Sequence, residues 1–197
     1  MKLLLATNNK NKVREMQAIL APYFDELYTL RQAGLDIEVV EDGATFEANA
    51  LKKAEETLAQ APGFDVALAD DSGLAVDALG GAPGVYSARF AGDGHNDDAN
   101  NAKLMDVMQN VPESERSCRF VCAIALARRN VPPICVRAEC EGRLLFAPQG
   151  TGGFGYDPYF YYAPLGGSFA ELSEEQKNRV SHRALALEKL RKVLETT

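Results

Sequence analysis

The stretch Val66-Ala67-Leu68-Ala69-Asp70-Asp71-Ser72-Gly73-Leu74-Ala75-Val76-Asp77-Ala78-Leu79 decides how the chain reads. Val66–Ala69 is a short apolar run that fits a central strand. Asp70-Asp71-Ser72-Gly73 is expected to interrupt it, and strand character resumes over Leu74–Leu79. Buried strand ends rarely carry two adjacent carboxylates without partners, because desolvation is costly. A hard divalent cation with oxygen ligands relieves that cost. Neighbouring side chains of an extended chain point to opposite faces, so only one of the two aspartates need face a given cleft. The plainer alternative is a tight turn started by an Asp.

Upstream, Lys2–Ala6 is a short strand whose three leucines suggest burial on both faces. A polar loop, Thr7–Asn11, leads into a helix from about Lys12 to Ala21, with Val13, Met16 and Leu20 on one face and Pro22 as its stop. Two further strands are expected near Glu26–Leu30 and Ile37–Val40. Thr45 is a candidate N-cap for a helix of about fifteen residues, whose buried stripe is Phe46, Ala50, Ala54 and Leu58. Asn49 and Lys53 share a face beside that stripe.

Downstream, Gly80–Gly84 reads as a loop and Asp97–Gln109 as a helix. Two long strands follow, Arg119–Ala127 and Ile134–Phe146, the second with one wet face. Gly150–Gly155 is glycine-rich. Ser173 with Gln176 resembles a capping box, and Ser181 is the expected N-cap of a last helix with Ala184, Leu187, Leu190 and Leu194 as its stripe. Mixed strands and helices, some strands adjacent in sequence, read as α/β or α+β with a mixed sheet. With 197 residues and no repeat or linker, the whole chain, 1–197, is expected to form one domain.

Composition narrows the function. Lys and Arg number 21 against 28 Asp and Glu, a net charge of −7. Such a field steers the chain neither to nucleic acid nor to an anionic membrane, so a polyanionic ligand must be held by a local basic pocket. The apolar run Val121–Ala127 is far short of the ~20 residues a spanning helix needs, and Leu3–Ala6 is too short for a signal peptide. The expected compartment is the cytoplasm. Cys118, Cys122, Cys135 and Cys140 lack zinc-knuckle spacing and read as reduced residues packed on strands.

Five constellations are suited to chemistry. Thr7-Asn8-Asn9-Lys10-Asn11-Lys12 joins a buried strand to a helix start, where backbone N–H groups, the helix dipole and two lysines favour an anion. It is not a Walker A loop, and an ordinary Asn-rich turn is the alternative. Asp70 and Asp71 form the second. Glu41 ends another apolar run and is a candidate second carboxylate for the same metal. In the fourth, Gly150-Thr151-Gly152-Gly153-Phe154-Gly155-Tyr156-Asp157-Pro158, glycines let backbone approach a ligand, Phe154 can stack on a planar base and Asp157 can accept from a ring N–H. A flexible hairpin with core aromatics is the alternative there. The fifth is Lys177 with Ser181-His182-Arg183, a basic spot in an acidic chain. Only two histidines occur, so a His-based triad is not expected.

Taken together and in this order, these motifs resemble the RdgB-type family of inosine/xanthosine triphosphate pyrophosphatases. The matching stretches are Leu5-Ala6-Thr7-x-Asn9-x-x-Lys12, Thr45-Phe46-x-x-Asn49-Ala50-x-x-Lys53-Ala54, Ala69–Leu74, Gly80–Arg89, Gly150–Pro158 and Ser181–Ala184. Two departures show. The family's T-G-N is Thr7-Asn8-Asn9 here, and its acidic residue before Asn49 is Ala48. The resemblance implies an elongated, two-lobed fold around a long mixed sheet flanked by helices, with the nucleotide between the lobes, Mg²⁺ dependence and a homodimer. It implies that Thr7, Asn8, Asn9, Lys10, Asn11, Lys12 and Lys53 hold the triphosphate. Glu41 and Asp71 would serve the metal, with Asp71 also the general base, and Ser72 would touch the substrate. Phe154, Gly155, Tyr156, Asp157, Lys177, His182 and Arg183 would form the base pocket.

The expected reaction is attack of water on the α-phosphorus of ITP, dITP or XTP, giving a nucleoside monophosphate and pyrophosphate. That would clear such nucleotides from the pool before incorporation into DNA or RNA. Hypoxanthine and xanthine present an O6 acceptor where adenine presents an N6 donor, so a fixed donor such as Arg183 separates them. One rival keeps the fold and takes modified pyrimidine nucleotides. Another is a nucleotide-binding regulator without turnover, which leaves the Asp70-Asp71 pair unexplained.

Overall fold

The computed structural model describes residues 2–20 and 26–195. The strands are β1 (Lys2–Leu5), β2 (Glu26–Thr29), β3 (Val66–Val76), β4 (Ser117–Arg128), β5 (Val131–Leu144), β6 (Phe160–Tyr162) and β7 (Gly167–Ser168). The helices are α1 (Lys10–Leu20), α2 (Phe46–Ala59), α3 (Asp97–Val107), α4 (Glu174–Val180) and α5 (His182–Glu195). Among the described residues the strands form one seven-stranded sheet in the order β2-β1-β3-β4-β5-β6-β7. β1 pairs in parallel with β2 and β3, and β6 pairs antiparallel with β5 and β7, so the sheet is mixed as expected.

The chain divides into two compact units. The first comprises Met1–Asp71, Cys122–Ala138 and His182–Thr197. Its core joins Leu3 and Leu5 of β1, Met16 and Leu20 of α1, Leu68 of β3, Ile124 of β4 and Leu187 and Leu190 of α5. The stripes expected on α1 and α5 are therefore the faces that pack. The second unit comprises Ser72–Val121 and Glu139–Ser181. Its core gathers Leu74, Leu104, Met108, Phe120, Phe160 and Phe169. The rings of Phe120, Phe160 and Phe169 pack on one another, with centroids 4.5 to 5.8 Å apart. Arg116, 1% exposed, closes this unit's α3 by donating to the carbonyls of Met108, Val111, Leu144 and Leu145.

Several expectations on element boundaries need correction. β3 is not broken at Asp70–Gly73: it runs unbroken to Val76, and Asp77–Leu79 is a 3-10 turn rather than strand. The charges stay inside the strand because helices remote in sequence bring them partners. Ile37–Val40 is irregular, with Ile37 buried and Val40 68% exposed; its alternation lacks a ladder. α1 begins at Lys10, two residues early, because Asn9 caps it. Its expected end, Ala21, and the Pro22 stop lie outside the described residues. Thr45 caps α2 as expected, accepting from the Ala48 N–H at 3.1 Å, and Ser173 with Gln176 forms a complete capping box on α4. Ser181 terminates α4, donating its N–H to Lys177 O at 2.8 Å. All four cysteines are free thiols. No helix among the described residues is long and apolar enough to cross a membrane.

Candidate active site

In the first unit, the turn after β1 is built by its own polar side chains. Thr7 Oγ1 accepts the Asn9 N–H at 3.2 Å, and Asn9 Oδ1 accepts the N–H groups of Asn11 and Lys12 at 3.0 and 3.2 Å. Two of the helix-start donors expected to cradle an anion are thus capped internally. Asn8, which replaces the family's glycine, needs no left-handed backbone. Among the described residues only His95 and Asn130 are non-glycine residues with positive φ. Asn8, Asn9 and Lys10 are exposed, whereas Lys12 reaches inward.

Lys12 Nζ lies 3.2 Å from Asp70 Oδ2. The same oxygen takes Arg183 Nη2 at 3.0 Å and Nε at 3.3 Å, and Arg183 Nη1 pairs with Glu15. Asp70 and Arg183 are essentially inaccessible. Burial pushes the Asp70 carboxyl up, but Lys12, Arg183 and Lys53 outweigh it and hold it well below the usual carboxylate range. Arg183 loses by burial and gains more from Asp70 and Glu15, so its ordinary value is raised. Asp70 is a fixed anion.

Its neighbour is the opposite. The Asp71 carboxyl is pushed up to about 6, first by burial and then by the charge of Glu41, against the pull of Lys12, Lys53 and the Asn49 amide. Adjacent carboxylates driven apart in this way separate a structural anion from a group able to exchange protons near neutrality.

The helix α2 supplies what surrounds Asp71. Asn49 Nδ2 donates to Asp71 Oδ2 at 2.9 Å, and Asn49 Oδ1 accepts the Gly43 N–H at 2.7 Å. A Cβ on Gly43 would lie 2.6 Å from that Oδ1, so glycine is needed for the approach. One turn on, Lys53 Nζ pairs with Glu41 Oε1 at 2.6 Å and donates to Asp70 O at 3.0 Å. The four-residue spacing thus places Asn49 and Lys53 on one face, as expected. Lys12, Glu41, Lys53, Asp70 and Asp71 are thereby gathered in one cluster.

In the second unit the glycine-rich loop is folded around Asp157, which is buried. Asp157 Oδ2 accepts the Phe154 N–H at 2.8 Å and Lys177 Nζ at 2.7 Å. Lys177, on α4 and buried, also sits 4.6 Å from the Phe154 ring centroid, a cation–π contact. Tyr156 Oη donates to Ser87 O at 2.7 Å. Phe154, Gly155, Tyr156, Asp157 and Lys177 are thus together, and Ser72 lies half-buried at the start of this unit's β3 segment. His182 and Arg183 belong to the first unit, where the Arg183 guanidinium faces Asp70 and Glu15.

Two contributors escaped the sequence reading. Glu15 was legible only as the residue three places after Lys12 on the same helix face. The four-residue spacing gives Asn49 its face but not its role as the bridge between Gly43 and Asp71.

Among the described residues no three His, Cys, Asp or Glu side chains are disposed to hold a metal. That is compatible with Mg²⁺, which keeps waters and commonly uses one or two carboxylates with substrate phosphates. Glu41 and Asp71 are the right donors, hard oxygens whose mutual repulsion raises Asp71.

A mixed-sheet α/β protein with paired carboxylates among half-buried lysines, and an aromatic loop seated on a buried ammonium, belongs to the class equipped to meet a polyphosphate and a planar ring. The Ham1 family model matches residues 3–193, and the chain belongs to that family. A dITP/XTP pyrophosphatase of Desulforamulus reducens is 50% identical over 194 residues, covering 98% of this chain and 96% of that protein. A HAM1 protein from Coxiella burnetii superposes with a TM-score of 0.88 at 36% identity, covering 100% of both chains. A nucleoside-triphosphatase / dITP/XTP pyrophosphatase from Mycobacterium abscessus gives 0.77 at 41% identity, over 96% of this chain and 98% of that one.

Proposed function

We propose that this chain hydrolyses noncanonical purine nucleoside triphosphates, ITP, dITP and XTP, to the nucleoside monophosphate and pyrophosphate, and so keeps them out of DNA and RNA. The observation that carries the reading is the meeting of Lys12 and Lys53 with Glu41, Asp70 and Asp71 in one cluster. Lysines without carboxylates would hold phosphate and leave it intact. Carboxylates without lysines would repel it.

Lys12 and Lys53, with the polar turn from Thr7, take the triphosphate. Water attacks the α-phosphorus, the bond to the β-phosphate oxygen breaks, and pyrophosphate leaves. Asp71 accepts the water's proton. Glu41 and Asp71 would hold Mg²⁺, which when bound neutralises phosphate charge and acidifies the water. Asp70 keeps its charge throughout and anchors Lys12. Phe154 stacks on the purine over Lys177, Ser72 touches the substrate, and Asp157 and Tyr156 hold the loop. Arg183 faces Asp70 and Glu15 here and would have to turn from them to supply the donor that rewards O6 and opposes an N6 amino group, with His182 beside it. The four free thiols suit a reducing cytoplasm. The homodimer rests on the family resemblance.

Pyrophosphate release is to be measured from ITP, XTP, GTP, ATP and dTTP, with and without Mg²⁺. The reading expects ITP and XTP to lead and chelation to abolish turnover. Equal rates on all five, or dTTP leading, would sink it.

A further inference from the structure

The glycine-rich loop has a second set of attachments that none of its own residues explains. Gly155, in left-handed backbone at φ 60°, is held at both of its main-chain polar groups by α3. Its N–H donates to Asp97 Oδ2 at 2.8 Å, and its carbonyl accepts from Asn101 Nδ2 at 2.9 Å. Asp97 and Asn101 are four residues apart, so they share a face of the first turns of α3. Asn96 caps that helix through the Ala99 N–H at 3.0 Å, which fixes where the face points. Asn101 is buried. Asn100, the next residue, ties α3 to the neighbouring turn by donating to Ala88 O and accepting from the Ala91 N–H.

An acceptor and a donor four residues apart match the N–H and C=O of one peptide residue, and they do so beside Phe154. Rotation of the peptides flanking Gly155 would swing the Phe154 ring away from Lys177. Resting on the reading of this loop as the purine site, we propose that Asp97 and Asn101 are positioning residues that clamp Gly155 and thereby set base discrimination. They touch no substrate. They act by removing the freedom that a four-glycine loop would otherwise have.

The test uses the full chain with Asp97→Ala, Asp97→Asn, Asn101→Ala and Asn101→Asp. Amide hydrogen exchange over residues 153–157 reads the clamp without any substrate. Asp97→Ala and Asn101→Asp should speed exchange there, and Asp97→Asn, which keeps an acceptor, should restore it. The ratio of kcat/KM for ITP to that for ATP reads the consequence. It should narrow by roughly tenfold in Asp97→Ala and Asn101→Asp, the size expected when a buried hydrogen-bond partner is lost. The change should lie mainly in KM, and inhibition by inorganic pyrophosphate should be unaltered. Faster exchange with an unchanged ratio in a wild type that does prefer ITP would overturn the proposal, as would unaltered exchange. A wild type with no preference for ITP over ATP would instead overturn the purine reading, and the exchange arm would still decide whether the clamp exists.

Discussion

Asp70 and Asp71 are chemically identical, one peptide apart, and electrostatically opposite. Asp70 meets Lys12 and Arg183, whereas Asp71 meets an amide and the field of Glu41. Asp71→Asn should abolish turnover while leaving nucleotide binding largely intact, measured by equilibrium titration. It should also stabilise the metal-free protein. A carboxyl raised from 3.8 to about 6 on folding favours its protonated form. Its contribution is fully present below about pH 4 and is lost as pH rises through 6. The variant and wild type should therefore unfold alike near pH 4, and the variant should be more stable at pH 7.5. The gap should reach about 3 kcal/mol at most. An equal gap at both pH values would contradict the assignment. Asp70→Asn goes the other way. It removes the nearest counter-charge of Lys12 and leaves Arg183 with Glu15, and should cost about 3–5 kcal/mol by urea unfolding. Glu15→Gln should cost less, because Arg183 keeps Asp70.

At the scale of elements, α2 is where sequence and structure agree most closely. Thr45 as cap, the Phe46–Leu58 stripe and the shared face of Asn49 and Lys53 follow from local rules, since capping and i,i+4 spacing involve neighbours only. β3 was misread for the complementary reason. Two aspartates in an apolar run signal a break when partners are unknown, and theirs come from Lys12, Asn49 and Arg183, up to 113 residues away. Ile37–Val40 shows the converse error: alternation predicts a strand, but only a neighbouring ladder makes one. The site motifs were legible as motifs, whereas the direction of each carboxylate's shift was not, because it depends on packing. α2 carries its own prediction. Asn49 bridges the Gly43 peptide to Asp71, so Asn49→Ala should free both at once. The Mg²⁺ concentration for half-maximal activity should rise by roughly tenfold, with little change in base preference. An unaltered Mg²⁺ requirement would remove Asn49 from the site.

At the scale of the molecule, a net charge of −7 means that no long-range field gathers the substrate, and recognition falls to a few locally placed cations. The proposed function gives two of them different tasks. Lys53 stands in the first unit among Glu41 and the Asp70 carbonyl, and Lys177 stands in the second under Phe154 and beside Asp157. A triphosphate is common to every nucleotide, so a cation that meets it cannot distinguish bases. A cation that fixes the base loop can distinguish bases and has no hold on pyrophosphate. Lys53→Ala should therefore lower kcat/KM for ITP and ATP by the same factor and weaken inhibition by pyrophosphate. Lys177→Ala should collapse the ITP-to-ATP ratio and leave pyrophosphate inhibition as it was. In the double variant the two losses should add in free energy, within ~0.5 kcal/mol, because Lys53 meets Glu41 and the Asp70 carbonyl whereas Lys177 meets Asp157 and Phe154. A strong non-additivity, or a Lys53 variant that changes base preference, would show that the two cations act on the same part of the substrate, and the division of labour would fall.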